Sequence, residues 1–491
     1  MKRIFLFLLI VSIFSLSGVE FEEIANQVKE INLENGAKLL LLEDDSAPIV
    51  HCITVANVGG VNEVPGITGI AHFLEHLAFK GTSTIGTKDY QAEKLILDQE
   101  DAVFDKLLDA KKNGNNELIT KYENELELLE VEASKYVENN EFSRIYTQNG
   151  GQNFNAGTSQ DFTMYQISLP SNKLELWFTM ESERFTDPVF REFYKEREVI
   201  LEERLMTEVN RGQGQLMKEM MRTAFEVHPY KYTTIGEKED IENITRQDVK
   251  NFFNKYYGAQ NLTFVLYGDF EEDQAIAFAN KYLSKIPERE KSLPVADKEP
   301  EQTHEKRVTV NYDAAPMIMI SYHVPAASHP DSEAITALAS IFGQNDTSPL
   351  IKTLVYEKKL ALYAYSFSGI PGSKYDNLFS IILAPNSGVD TNDCIIEIDN
   401  IINSFLTKGV SEKELVSYRK NSKKRYLSQL DAGIYLPLQI GLTNLITGDY
   451  TDFFNTLENI DSLRSSDIVR VAKKYLVPNN RTIGILEKAG E

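Results

Sequence analysis

Two histidines and a glutamate fall within five consecutive positions, His72, Glu75 and His76, in the stretch Ala71-His72-Phe73-Leu74-Glu75-His76-Leu77-Ala78-Phe79-Lys80-Gly81-Thr82. Strong helix formers dominate this stretch and little in it favours a turn before Gly81, which predicts a helix. On a helix, residues three and four apart share a face, so the three side chains project together. Two imidazoles one turn apart can grip a single zinc ion, and a carboxylate beside them can take a proton from water held there. A helix that happens to carry two histidines gives the same pattern, although the whole chain has only seven His in 491 residues. More carboxylates follow at Glu196, Glu198, Glu202 and Glu203, within a segment, 190–209, that also reads as helix. Glu196 and Glu203 stand two turns apart and can face a metal together. By pitch alone, Glu198 and Glu202 are equally available.

These side chains need a scaffold. Residues 37–42 form an apolar run, 44–46 a turn, and 48–55 a segment rich in β-formers, so two strands precede the histidines and Gly59-Gly60 ends the second. Residues 88–140 are heavily charged, carry apolar residues at helical spacing, and break at Asn113-Gly114-Asn115-Asn116, which predicts a helical hairpin inserted in the first domain. Residues 153–169 alternate small and β-branched side chains and read as one strand. The second half repeats the first. Asp248, Tyr256, Asn261 and Thr263 align without gaps on Asp467, Tyr475, Asn480 and Thr482, and Ser46-Ala47-Pro48-Ile49 resembles Ala314-Ala315-Pro316-Met317. Two homologous α+β domains follow, each a mostly antiparallel sheet packed with helices, over 24–286 and 306–491 with a polar linker at 287–305. The second copy has Ile335-Thr336-Ala337-Leu338-Ala339-Ser340-Ile341-Phe342 in place of the histidine helix, so it keeps the scaffold without the metal.

Hydrophobic residues are 42% of the chain, enough for sizeable cores, and a formal charge of −22 disfavours nucleic acid and anionic lipid as partners. A merely soluble acidic surface explains that charge as well. Residues 1–17 read as a cleavable signal peptide, with Lys2 and Arg3 as the basic start, an apolar core over 4–14, and Ser15 and Ser17 at the cleavage site. The expected location is the periplasm or another exported space, since the apolar run is short for a membrane span. Cys52 and Cys394 are the only cysteines, so one pair is possible and a disulfide framework is not.

The ordered motifs resemble the pitrilysin–insulinase–mitochondrial processing peptidase family, the inverzincins, whose H-x-x-E-H helix reverses the H-E-x-x-H order of other zinc proteases. The resemblance covers nearly everything after the signal segment. It rests on Gly66-x-x-Gly69-x-x-His72-Phe73-Leu74-Glu75-His76, on Phe79-Lys80-Gly81-Thr82, on Asn155-Ala156-x-Thr158-Ser159-x-Asp161-x-Thr163-x-Tyr165, on Glu196-Arg197-Glu198-Val199-Ile200-Leu201-Glu202-Glu203, and on His228-Pro229-Tyr230 followed by Ile235-Gly236.

The family register implies one Zn2+ per chain held by His72, His76 and Glu203, with Glu75 as general base and Glu196 supporting the site. It implies a metalloendopeptidase acting on short or unfolded peptides, which lie as an added strand along Asn155, Ala156 and Thr158. Two double-domain units would close like a clam around a chamber. One departure bears on that assembly. The family often carries an Arg and a Tyr seven residues apart, reading Arg-Glu-x-x-Gly-Leu-x-Tyr, that bind the substrate carbonyl and the oxyanion. Here the stretch is Tyr356-Glu357-Lys358-Lys359-Leu360-Ala361-Leu362-Tyr363. Tyr363 is in place, as a catalytic group or as a packed strand residue, but Tyr356 replaces the Arg. The resemblance therefore implies a heterodimer with a metal-free homologous subunit that supplies the Arg–Tyr pair. A homodimer, or a catalytically weak assembly or peptide-binding subunit, are the competing readings.

Overall fold

A computed structural model describes residues 24–430 and 433–488, so the expected signal peptide at 1–17 lies outside the described residues. Two compact units emerge. One holds Lys29–Leu205 and Tyr232–Val295; the other holds Met206–Lys231 and, of the described residues, 24–28 and those from Ala296 onwards.

In the first unit, the apolar run becomes β2 (Lys38–Glu43), preceded by β1 (Lys29–Asn32), and the β-branched segment becomes β3 (Ile49–Ala56). With β4 (Gln152–Thr158), β5 (Thr163–Pro170) and β6 (Leu262–Gly268) they form a six-stranded sheet in the order β1-β2-β6-β3-β5-β4. Only the β2–β6 pair is parallel. Leu39, Leu41, Val50, Cys52, Phe264 and Leu266 turn one face of this sheet into the core, where Phe73, Trp177, Phe178, Phe193 and Ile200 meet it from the helices. Full burial of an aromatic such as Phe73 contributes about 1.5–3 kcal/mol.

The second unit repeats this plan. Strands β7 (Lys306–Asn311), β8 (Met317–Val324), β9 (Ala361–Ile370), β10 (Asn377–Pro385) and β11 (Arg481–Glu487) run β7-β11-β8-β10-β9, again with one parallel pair, β7–β11. The repeated residues do the same work in both copies. Asp248 and Asp467 each accept a hydrogen bond from the backbone N–H three residues earlier, at the start of the helices Arg246–Tyr256 and Ser465–Tyr475. Asn261 and Asn480 each donate to the carbonyl of the tyrosine that ends that helix, Tyr256 or Tyr475, at 2.8 and 2.9 Å. The Ile335-to-Phe342 segment lies in the helix Ser332–Gly343, which follows β8 as the histidine helix follows β3.

Four expectations differ in detail. Residues 153–169 are two antiparallel strands, β4 and β5, because Ser159 Oγ accepts the amides of Asp161 and Phe162 and closes a turn. The histidine helix stops at Leu77. Beyond it the Arg191 guanidinium binds the carbonyls of Lys80, Thr82 and Ile85 and draws them out of the helical ladder. The carboxylate helix spans Phe193–Arg204 and widens into a π turn over Leu205–Val209. Finally, the expected first domain includes 206–231, yet the helix Gly212–Ala224 packs on β7 and β11, where Leu216 and Met220 of its buried face fit against Gly484. The charged segment 88–140 contains the helices Tyr90–Lys112 and Asn116–Ser134, capped by Asp89 and Asn115 and folded back on one another. Cys52 and Cys394 are both free and buried, each in the core of its own unit.

Candidate metal centre

The helix Ile70–Leu77 buries Ile70, Ala71, Phe73, Leu74 and Leu77, which leaves His72, Glu75 and His76 together on its half-buried face. Its start is closely specified. Gly69 adopts a left-handed φ of +87°, and a Cβ there would stand 2.6 Å from the Ile235 carbonyl oxygen. The buried Glu63 carboxylate accepts the amides of Gly69 (2.7 Å) and Ala71 (2.9 Å), where a helix N-terminus favours an anion. Burial nevertheless pushes the Glu63 carboxyl up to about 8, with Asp240 adding to the rise and the two amides opposing it. Asp240 in turn accepts from Gly66 and from the amide and hydroxyl of Thr68. Opposite this turn, Arg204 Nε donates to the Gly236 carbonyl (3.1 Å), so the loop at Gly236 touches both helices that carry the polar residues.

His72 Nε2 and His76 Nε2 each lie 3.7 Å from Glu203 Oε2, and the three donor atoms are all within 4.8 Å of one another. Ligand atoms about 2.0–2.1 Å from a tetrahedral ion are separated by about 3.4 Å, so this donor set fits zinc with one position to spare. The rings stand nearly perpendicular, with centroids 4.8 Å apart. Burial, and secondarily His76, lower the His72 imidazole to about 4, which keeps it neutral as a ligand must be. For His76 burial acts downward, but the hydrogen bond to Glu196 and the charges of Glu75, Glu196 and Glu203 outweigh it and raise the ring. Pitch left Glu198 and Glu202 open as alternatives. Both side chains are exposed, and the Glu203 carboxylate is the one that meets the imidazoles.

Glu75 points beside this cluster and accepts a hydrogen bond from Thr158 Oγ1 at 2.8 Å. Its carboxyl is raised, chiefly by burial, with Glu203 in the same sense and Thr158 and His76 opposing. Thr158 ends β4, an edge strand of the sheet, on which Asn155 is exposed and Ala156 half-buried. Glu196 Oε2 faces His76 Nδ1 at 3.4 Å, while His72 Nδ1 is buried without a protein partner. Burial raises the Glu196 carboxyl, but the hydrogen bonds to His76 and Lys80 bring it below its ordinary value.

Thus eight of the nine expected residues lie in the first unit. Tyr363 belongs to the second, on the edge strand β9, 40% exposed with its ring stacked on Tyr365 at 6.1 Å. Tyr356 is exposed and donates to Asp346 at 3.2 Å. Sequence reasoning missed Glu63, Asp240, Arg204 and Lys80. Lys80 and Gly69 stand inside the family motifs without an assigned role; Glu63 lies only nine residues before His72, but no helical or strand spacing links it to the helix it caps, and Asp240 is far along the chain.

A family profile described as insulinase (peptidase family M16) matches residues 38–95 and 126–238, and one described as the peptidase M16 inactive domain matches 243–422. The chain is similar to the zinc protease PqqE of Helicobacter pylori, 26% identical over 94% of this chain and 92% of that one. It is also similar to the beta subunit of the mitochondrial-processing peptidase of Neurospora crassa, 23% identical over 90% of this chain and 84% of that one. Among solved structures, a protease from Helicobacter pylori superposes with a TM-score of 0.78 at 25% identity, covering 94% of this chain and 99% of the other.

Proposed function

The chain belongs to the M16 peptidase family, and on that premise we propose that it is an exported zinc metalloendopeptidase that hydrolyses peptide bonds in short or unfolded peptides. The observation that carries this reading is the convergence of His72 Nε2, His76 Nε2 and Glu203 Oε2, with the Glu75 carboxylate beside them. Zinc held by those three would supply a polarised carbonyl and a water of lowered pKa. The protein groups divide the remaining work. Glu75, half-buried and with its carboxyl raised by that burial, takes the proton from water at its carboxylate and returns it to the leaving amine. Thr158 holds the Glu75 carboxylate in place for that transfer. Glu196 orients His76 through Nδ1. The exposed edge of β4 at Asn155 and Ala156 offers main-chain groups to an extended peptide, which fits binding with little side-chain selectivity.

Export is supported by the pattern of residues 1–17. Assembly into a chamber with a metal-free homologous subunit is supported by Tyr356, which stands where an Arg is expected next to Tyr363. The same exposed Tyr356 favours a second reading, a catalytically weak subunit that binds peptides for a partner.

Metal analysis of the purified chain, then incubation with unstructured peptides read by mass spectrometry, tests the proposal. Expected are about one zinc per chain, cleavage abolished by a chelator, and a fall in turnover of about 10²-fold or more in Glu75→Gln with zinc retained. Zinc-free protein, or unchanged cleavage by Glu75→Gln, overturns it. Zinc-loaded protein that cleaves only after a metal-free M16 subunit is added selects the heterodimer; full activity alone selects the homodimer or monomer.

A further inference from the structure

Outside the ligand set, the Lys80 ammonium reaches the site. Lys80 Nζ lies 2.5 Å from Glu196 Oε1 and 2.9 Å from Glu192 Oε2, and all three side chains are at most 18% exposed. Glu192 and Glu196 stand one helical turn apart at the start of the carboxylate helix, so the ammonium bridges two anions that would otherwise repel. The other oxygen of Glu196 faces His76 Nδ1. Each oxygen of one carboxylate thus has its own partner, and the plane of that carboxylate is fixed.

The position of the ammonium is not set by the acids it meets. The Lys80 carbonyl accepts from Arg191 Nη1 at 2.5 Å, and the next residue, Gly81, has a left-handed φ of +92°. Arg191 is itself buried and paired with the buried Glu93, Nε to Oε1 at 2.7 Å. Lys80 is therefore held from behind by the loop, with its side chain directed back toward the helix. Remove the cation, and Glu192 keeps Lys195 at 2.8 Å, whereas Glu196 is left beside Glu192, Glu75 and Glu203 with no ammonium on Oε1 and gains by turning to solvent. His76 then loses the acceptor that keeps Nδ1 outward and Nε2 toward His72 and Glu203.

We propose that Lys80 is a positioning residue of the metal centre, acting through Glu196 to fix the orientation of the ligand His76. This rests on the reading of His72, His76 and Glu203 as a zinc site. Groups that orient a ligand histidine typically change metal affinity by about 10–100-fold when removed.

The test is a thermodynamic cycle on zinc affinity, measured by competition with a chromogenic chelator at one pH and salt concentration. It uses the full chain as wild type, Lys80→Met, Lys80→Arg, Glu196→Gln and the Lys80→Met/Glu196→Gln double variant. Lys80→Met is expected to weaken zinc binding about tenfold, Lys80→Arg to restore most of it, and Lys80→Met to change affinity less than about twofold once Glu196 is neutral. Circular dichroism of each metal-free variant checks the fold. An equal loss in both backgrounds would show that Lys80 serves only its loop, and wild-type affinity in Lys80→Met would remove any role; either overturns the proposal while leaving the zinc site standing. A wild-type chain that binds no zinc overturns the functional reading and this inference together.

Discussion

Thr158 donates its hydroxyl to Glu75 across 2.8 Å, joining the end of an edge strand to the glutamate between the two histidines. A hydrogen bond to a charged group contributes about 1.5–3 kcal/mol, which as lost orientation of a general base is about ten- to a hundredfold in rate. Thr158→Val should therefore lower kcat by that factor at unchanged zinc content, and Thr158→Ser should recover most of it. Steady-state kinetics on a quenched-fluorescence peptide, with zinc measured alongside, makes the check. A defect confined to KM would place Thr158 with substrate binding instead.

Glu203 is distinguished from its neighbours by direction. Glu203→Ala should empty the metal site, whereas Glu202→Ala and Glu198→Ala, both exposed positions, should leave zinc near one per chain. Elemental analysis after gel filtration reads this directly. Zinc lost from Glu202→Ala and kept by Glu203→Ala would reverse the register.

Gly69 sets where the histidine helix begins. Alanine there meets a left-handed φ of +87° and a carbonyl oxygen at 2.6 Å. Backbone strain alone costs about 1–3 kcal/mol. Trp177, the single tryptophan, is buried in the same unit, so its fluorescence reports that unit's denaturant midpoint, which should fall. An unshifted midpoint would mean that the turn at Gly69 tolerates a side chain.

Asp331 joins two helices of the second unit, accepting from Tyr475 Oη (2.7 Å), Arg470 Nη1 (2.7 Å) and Lys474 Nζ (3.2 Å). Burial raises its carboxyl, but these three hydrogen bonds outweigh it and bring it from an ordinary 3.8 to about 2. The folded state favours the ionised form, so the stabilisation is full above about pH 4 and disappears as pH falls through about 2. Asp331→Asn should speed amide exchange in Ser332–Gly343 and Ser465–Tyr475 relative to wild type at pH 6, and the ratio should approach one toward pH 2. A ratio that stays constant with pH would show that the charge contributes nothing.

Local periodicity made much of this structure legible. His72, Glu75 and His76 share a face because three- and four-residue spacings do so on any helix, and Leu77 and Phe73 could be assigned to the core by the same count. The repeat was legible because Asp248 and Asp467, like Asn261 and Asn480, make contacts that any copy of the motif needs. What local pattern could not supply was long-range pairing. Lys80 and Arg204 act on charges or backbone groups brought near by the fold, at Glu196 and Gly236, and no spacing in the chain encodes such meetings. The helix Gly212–Ala224 was misassigned for a related reason. Its apolar face, Leu216 and Met220, states that it packs but not on which sheet.

The strand order carries a consequence for the ribosome. In each sheet the strand made last lies inside, β6 between β2 and β3, and β11 between β7 and β8. All of His72, His76 and Glu203 have been synthesised some sixty residues before Gly268 completes β6. Until then β2 has no neighbour on its inner edge and the first sheet is two separate pieces. The histidine helix lies against β4 and β5, on one of those pieces, and against the later helix Arg246–Tyr256, so a nascent chain holds every group of the metal centre before it holds every element packed on their helix. In the order of synthesis the ligands thus precede part of their own support.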